Sequence, residues 1–312
     1  MKIHSVIGGG GVKLHVREWG KVDAPTVLFI HGWSQNHLCW RKQYESQLAD
    51  AFHLVALDLR GHGMSEAPEA RDNYTEPQPW ADDIAAIIDQ LGLKNPTLVG
   101  WSYAGFVICD YVRAYGQDAI AGINFVGAAV TLDRAAFGVL IGSGFLDHVP
   151  GATADDFPSN IQAIRAFVDG CTARPLPPDD YAIALCWNIV VPAKVRAALV
   201  TRVIDSEDVL SALDRPVLMT HGLCDTVILP AMGDQILKKC RTSTASWYPK
   251  PDTHPFLRIH CGSTANSPNS WVKQREHRGE KKHPATTAIG AFSQFTDLLT
   301  KLSRSSLCAT LM

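Results

Sequence analysis

The chain has 312 residues, 46% hydrophobic and 19% charged, an ordinary soluble globular composition that suits one large α/β domain with an insertion or two small domains. A formal net charge of -2 gives no footing for nucleic acid or an anionic membrane as a partner. The opening MKIHSVIGGGG lacks the apolar core of a signal peptide, no apolar run is long enough to span a bilayer, and the eight cysteines show no CxxC spacing. The expectation is a cytoplasmic protein with reduced thiols and neither a zinc site nor a redox motif.

In chain order, GGGG at Gly8–Gly11 lacks the GxGxxG and GxxxxGK[ST] spacings of phosphate loops and precedes no helical segment. It reads as the turn of a hairpin between IHSVI and VKLHVREWG. TVLFIHG (Thr26–Gly32) and FHLVALDLRGHG (Phe52–Gly63) hold short continuous apolar runs, the pattern of strands buried on both faces. ADDIAAIIDQLG (Ala81–Gly92) has helical periodicity and stops at a glycine. PTLVGWS is a strand, AGFVICDYVRAYG a helix ending at Gly116, and AGINFVGA and RPVLMTHG are two more strands. Strands alternating with helices predict an α/β fold with a mostly parallel, doubly wound sheet. Between Leu132 and Leu213 the segments RAAFGVLIGSGFLDHV, IQAIRAFVDGC, DDYAIALCWNIV and KVRAALVTRV read as helices, with no strand among them. This predicts a helical cap insertion at 132–213 over a core of residues 1–131 and 214–312, covering the sheet edge where open α/β sheets bind ligands.

LVGWSYAG (Leu98–Gly105) is the stretch that carries chemistry. A strand ends at Val99 and a helix begins just after Ser102, with small residues at Gly100 and Ala104. A serine at such a strained strand-to-helix turn is a nucleophile elbow, because close packing demands small neighbours and the helix N-terminus aims N–H groups at a developing oxyanion.

With that motif the chain resembles the α/β-hydrolase family from about Val12 to Tyr248. HGW (His31, Gly32, Trp33) looks like the family's oxyanion segment, DLRGHGMS (Asp58–Ser65) matches a mainly structural segment, GWSYAG is the elbow, and HGLCDTVILP (His221–Pro230) matches the loop carrying the acid. The resemblance implies an α/β-hydrolase-type sheet with a cap and a Ser-His-Asp triad. Ser102 is the nucleophile and Asp225 the acid that orients the base, with the Trp33 and Tyr103 amides as the oxyanion hole. The plainer reading of Asp225 is a turn cap. His31 and His62 are expected to be structural, and Asp110 a packed or paired helix residue. Phe145, Tyr181 and Trp187 suggest an apolar pocket wall or simply the core of the cap.

The histidine is out of place. The family pattern counted from Tyr248 puts Gly-His at residues 252 and 253, but residue 253 is Thr253, and His254 follows one place late without its glycine. Residues 257–286 read as irregular, and a long structureless stretch inside a compact domain is itself suspect. Read from the last base of the Pro251 codon, permitted codons for Pro251–Trp271 encode Gly-His-Ser-Pro-Val-Pro-Glu-Asp-Pro-Leu-Arg-Phe-Asn-Arg-Glu-Leu-Ala-Glu-Leu-Val, the ending the family pattern calls for. A single lost base near residues 249–251 accounts for both the spacing and the composition, and favours a frameshift over a divergent C-terminus in which His254 is the base. His260, His277 and His283 read as solvated. AIGAFSQFTDLLTKL (residues 288–302) reads as a helix able to cover part of the sheet, although loss of the native ending predicts poorly covered apolar sheet surface.

The expected function is hydrolysis of an ester or related small-molecule acyl substrate through a serine acyl-enzyme, with no metal and no cofactor required. The same motifs resemble the cofactor-free haloperoxidase and perhydrolase branch, in which peroxide replaces water. A non-catalytic or inactive member lacking the histidine stays as the alternative from another class. Dehalogenase and epoxide hydrolase chemistry is disfavoured because those branches carry Asp where this chain has Ser102.

Overall fold

The computed structural model describes residues 1–172, 175–248, 290 and 292–296. A hairpin of β1 (Lys2–Ile7) and β2 (Lys13–Gly20) opens the chain, followed by β3 (Thr26–Ile30), β4 (His53–Leu57), α1 (Pro77–Gln90), β5 (Thr97–Trp101), α2 (Ala104–Tyr115) and β6 (Gly122–Val126). Next come β7 (Thr131–Leu132), α3 (Phe157–Gly170), α4 (Pro178–Ile189), α5 (Ala193–Leu199), β8 (Ile204–Asp205) and α6 (Glu207–Ala212). The chain then returns to the sheet with β9 (Val217–Gly222), α7 (Pro230–Lys239) and β10 (Ser243–Tyr248). The main sheet runs β1-β2-β4-β3-β5-β6-β9-β10. The pairs β3–β4, β3–β5, β5–β6, β6–β9 and β9–β10 are parallel, while β2 is antiparallel to both its neighbours. This is the mostly parallel α/β sheet expected.

The apolar runs form strands because both sheet faces are covered. In β3, Val27 and Phe29 join one buried cluster with Trp40, Phe52 and Phe295, while Leu28 and Ile30 join another with Trp80, Ile84 and Phe106. Alternate side chains of a strand point to opposite faces, so an all-apolar run serves two cores at once. α2 is buried from Ala104 through Tyr111 and ends on Gly116 at φ 74. Helix α1 begins four residues before the expected Ala81, because Pro77 opens its first turn and Trp80, Ile84 and Ile87 supply the buried stripe. Of the helix expected at 288–302, residues 290 and 292–296 are described and are helical. Phe295 meets Phe52 edge-on at 5.5 Å and is fully buried, so this part of the sheet is covered despite the expectation of exposed apolar surface.

Three expectations for the insertion are corrected. No helix runs through residues 134–149: only Ser143–Leu146 and Val149–Ala152 are helical, each a single turn. Gly142 and Gly144 pack on the Thr226 backbone so closely that a Cβ at either would lie 2.2 and 2.8 Å from the Thr226 carbonyl oxygen. That tertiary contact overrides the local apolar pattern. The segment also contains strand: β7 and β8 pair antiparallel through Thr131–Asp205 and Leu132–Ile204. The helix expected through Val203 stops at Leu199, and Arg202 instead turns inward to Asp110 on α2, Nη2 to Oδ2 at 2.7 Å. Asp110 is thus paired, as expected. Helices α6 and α7 had no sequence-based expectation.

The glycine run is a turn, and a side-chain network explains its composition. A Cβ on Gly8 would lie 2.2 Å from Asp83 Oδ1. Arg60 donates through Nε and Nη2 to both oxygens of Asp83 at 2.8 and 2.7 Å, and further to the Gly9 and Pro79 carbonyls and Asn73 Oδ1. Asp83 Oδ1 also accepts the Gly9 amide at 2.9 Å. Both side chains are fully buried. Removing one partner of such a pair strands the other charge, so Asp83→Ala is expected to cost about 3–5 kcal/mol in urea unfolding. A loss below about 1 kcal/mol would show that the network contributes little to stability.

Candidate active site

Ser102 sits at φ 55°, a left-handed conformation rare for a non-glycine residue, on the two-residue turn between β5 and α2. Its amide donates to the Val126 carbonyl at 3.1 Å and its carbonyl accepts from the Ala129 amide at 2.9 Å, so the turn is latched to the residues ending and following β6. A Cβ on Gly100 would meet Ile108 Cδ1 at 2.5 Å, and one on Gly105 would meet the Ala129 carbonyl oxygen at 2.3 Å. The contact that excludes a side chain falls on Gly105, which is why Ala104 is tolerated.

The loop after β3 packs against this turn. A Cβ on Gly32 would be 3.0 Å from both Ser102 Cβ and the Trp101 carbonyl oxygen, and the Gly32 amide is taken by Gln35 Oε1 at 2.9 Å. Among the described residues, neither the Trp33 nor the Tyr103 amide has an intrachain acceptor. His31 is fully buried and holds the loops together, with Nδ1 on the Gly32 carbonyl at 2.8 Å and Nε2 accepting the Leu59 amide at 2.9 Å. His62 donates from Nδ1 to the Arg60 carbonyl at 2.8 Å. Burial lowers both imidazoles, to about 3 for His31 and about 4 for His62, so both are neutral at physiological pH. Their expected structural role fits these bonds.

Asp225 lies in the loop after β9 and is buried. Its Oδ1 accepts the Val227 and Ile228 amides at 2.9 and 3.0 Å. Its Oδ2 lies 3.6 Å from His221 Nε2, beyond a good hydrogen bond, and 3.4 Å from where a Cβ of Gly127 would stand. His221 is committed elsewhere, with Nε2 donating to the Ile228 carbonyl at 2.9 Å. Desolvation raises the Asp225 carboxyl to about 6, with His221 and the two amides opposing it.

Ser102, Tyr103, Trp33 and Asp225 line one pocket, whose empty space including its open mouth is ≈ 750 Å³. Phe145, Phe167, Ile141 and Val200 wall it from the insertion, and Asp225 is the one charged side chain among its described lining residues. Trp33 meets Phe145 and Phe167 edge-on at 5.1 and 5.6 Å. Tyr181 and Trp187 pack outside this cavity, so of the three aromatic candidates only Phe145 reaches it. Gln35, Trp101 and Cys171 also line it, and sequence reasoning missed all three. Burial pushes the Cys171 thiol up, and the nearby Asp225 adds to that. No described histidine lines the cavity. His254, His260, His277 and His283, with the irregular stretch 257–286, lie outside the described residues.

Among the described residues, the group close enough to hold a metal ion is His15, His37 and Asp58. Asp58 already accepts the His37 amide, His37 Nδ1 and the Met64 amide at 2.7–2.9 Å, and His15 Nε2 accepts Arg17 Nε at 3.1 Å. A guanidinium on one ligand and a saturated carboxylate suit a hydrogen-bonded core better than a cation site. No single described helix is long and apolar enough to cross a membrane.

A model of the alpha/beta hydrolase fold matches residues 25–158. The crystal structure of the esterase RhEst1 from Rhodococcus sp. ECU1013 superposes with a TM-score of 0.74 at 34% identity, over 84% of this chain and 92% of that one. The bifunctional esterase/perhydrolase DCH of Acinetobacter calcoaceticus is 34% identical over 122 residues, covering 39% of this chain and 43% of its own length. Epoxide hydrolase 1 of Caenorhabditis elegans is 34% identical over 106 residues, 34% of this chain and 26% of its own length. The matched segments thus span less than half of these two relatives and about nine-tenths of the esterase structure. The chain belongs to the α/β-hydrolase fold family.

The raised Asp225 carboxyl sets a pH dependence. The folded state keeps a proton that the unfolded chain releases near the ordinary 3.8, and that stabilisation is lost as the pH rises through about 6. Asp225→Asn removes the titration. It is expected to match the parent in urea unfolding below about pH 4 and to exceed it by roughly 2–3 kcal/mol above about pH 7. A stability difference that does not change with pH would contradict a raised Asp225.

Proposed function

We propose that the chain is a serine hydrolase that cleaves an uncharged carboxylic ester through an acyl-enzyme. Ser102 Oγ attacks the ester carbonyl carbon as a histidine removes its proton. The Trp33 and Tyr103 amides take the developing oxyanion, and the alkoxide leaves with the proton returned by the same histidine. Water, activated by that histidine, then adds to the acyl-enzyme and releases the acid and Ser102. Asp225, clamped through Oδ1, offers Oδ2 to hold the imidazole and stabilise its charged form. The carrying observation is Ser102 at φ 55° in one cavity with Asp225 and two backbone amides that lack an intrachain acceptor. The largely apolar lining supports a neutral acyl group. Epoxide opening is set aside because a serine, not a carboxylate, occupies the elbow.

A second reading keeps the same acyl-enzyme and lets hydrogen peroxide replace water, giving a peracid. It is supported by the likeness to the Acinetobacter relative, a bifunctional esterase/perhydrolase.

The base belongs to the segment after Tyr248. We assign it to the histidine that follows glycine in the frame one nucleotide back, and read His254 as a by-product of the shift. A fluorophosphonate probe tests both assignments on two proteins: the chain as written, and a chain in which one restored nucleotide replaces residues 251 onward. Ser102 in the restored chain is expected to be labelled at least about 10³-fold faster, with Ser102→Ala silent in both, given the non-additive loss on removing a triad member. Equal, rapid labelling would make His254 the base. Two folded proteins that both resist the probe would overturn the serine hydrolase reading.

A further inference from the structure

We propose that Arg196, on α5 of the insertion, is a positioning residue for the oxyanion loop: its guanidinium fixes the Asn188 carbonyl from which Ser34 hangs and anchors the α5 backbone whose own carbonyl holds the Trp33 indole. The inference rests on the serine hydrolase reading, which makes the Trp33 amide an oxyanion donor.

Arg196 is buried, 2% exposed, and no described carboxylate pairs with it. Its charge is solvated by oxygen dipoles of the insertion. Nε donates to the Ala152 carbonyl at 2.7 Å, Nη1 to the Asn188 and Val191 carbonyls at 2.7 and 2.6 Å, and Nη2 to Asn160 Oδ1 at 2.6 Å. Asn160 in turn donates to the Ala152 and Ala154 carbonyls at 2.9 and 3.1 Å. One guanidinium therefore gathers the turn after residue 149 with α3, α4 and the start of α5. A planar fork with five donors can do this; a lysine ammonium cannot reach the same set.

The oxyanion loop attaches to that hub at two points. Ser34 Oγ donates to the Asn188 carbonyl at 3.2 Å, the same oxygen that accepts Arg196 Nη1. Trp33 Nε1 donates to the carbonyl of Arg196 itself at 3.3 Å. Ser34 is fully buried at φ 57°, a strained conformation that persists only where its surroundings over-determine it. That strained residue directly follows the amide assigned to the oxyanion. Slack in the hub would thus act on the direction of the Trp33 N–H, and a donor is effective only when pre-aimed at the oxyanion.

The test compares a tetrahedral adduct with a ground-state ligand. Benzeneboronic acid adds to Ser102 Oγ and places a boronate oxygen in the oxyanion hole; benzamide occupies the cavity without doing so. Both affinities are measured by calorimetry on the restored-frame chain and on its Arg196→Lys, Ser34→Ala and double variants. In Arg196→Lys, boronate affinity is expected to fall about tenfold or more, below the 10²–10³ that a whole donor is worth in rate. Benzamide affinity is expected to change less than about twofold, and the double variant of Arg196→Lys with Ser34→Ala to fall little beyond Arg196→Lys alone, because both changes act on the one linkage through the Asn188 carbonyl. Ser34→Ala, which removes a single hydroxyl, is expected to show the same selective loss at about threefold and carries the test if Arg196→Lys does not fold. Equal loss for boronate and benzamide, unchanged boronate binding in a folded variant, or full additivity overturns the proposal. A restored-frame parent that binds benzamide and takes no boronate overturns the serine hydrolase reading, and the proposal with it.

Discussion

A serine forced into the left-handed region at the end of a buried strand can persist only if nothing nearby competes for its space, and much of the molecule follows from that constraint. Gly100 yields to Ile108 of the next helix, Gly105 to the Ala129 carbonyl, and Gly32 to the serine's own Cβ. Each absent side chain lets a different segment close on the turn. The parallel sheet makes this convergence possible. β3, β6 and β9 run the same way as β5, so the loops after them, bearing Trp33, Gly127 and Asp225, leave the sheet at the same edge as Ser102. The edge that collects strand ends collects the chemistry.

The insertion is joined to this edge by two buried arginines that work differently. Arg202 pairs with Asp110 on α2, so its charge is met by a charge, and Arg113 at 3.8 Å also faces that carboxylate. Burial still pushes Asp110 up to about 6 against the pull of Arg202, a sign of how dry the contact is. Arg196 has oxygen dipoles instead, and desolvation alone draws it down to about 10, which leaves it charged at neutral pH. A dipole-solvated cation depends on many carbonyls staying in place together. It therefore suits the cooperative ordering of an insertion whose elements meet at one hub.

Legibility from sequence followed the range of the forces involved. Buried strands such as TVLFI announce themselves because two-sided burial leaves a continuous apolar run bounded by turns. Ser102, Asp225, Trp33 and Tyr103 stand out as candidates because they sit on motifs with fixed spacing, and the structure brings all four to one cavity. Residues 134–149 were misread because Gly142 and Gly144 answer to Thr226, some eighty positions away in the chain. β7 and β8, two residues each, have no room for a pattern. Gln35, Trp101 and Cys171 carry no signal at all: a glutamine satisfying a neighbouring amide, a ring at a strand end and a thiol after a helix are chemically ordinary until the cavity joins them.

On the proposed triad, the position demanded of the base follows from Asp225. Two backbone amides occupy Oδ1, which fixes the carboxylate plane and leaves Oδ2 as the oxygen available to a histidine. His221 is the nearest described imidazole, but its Nε2 is committed to the Ile228 carbonyl, on the wrong side of a 3.6 Å gap. β10 lies beside β9 with Tyr248 in register with Gly222, three residues before Asp225, so the chain leaves the sheet at Tyr248 close to the acid's own loop. From there a handful of residues must place an imidazole between Oδ2 and Ser102. Consecutive Cα atoms are about 3.8 Å apart, while a hydrogen bond tolerates only a few tenths of an ångström. On the proposed triad, a histidine one position late in the sequence, and without the preceding glycine, departs from the spacing that this contact demands. That departure, beside Ser102, Asp225 and Trp33 in one cavity, is the ground on which the break is proposed to lie in the reading frame rather than in the design of the site.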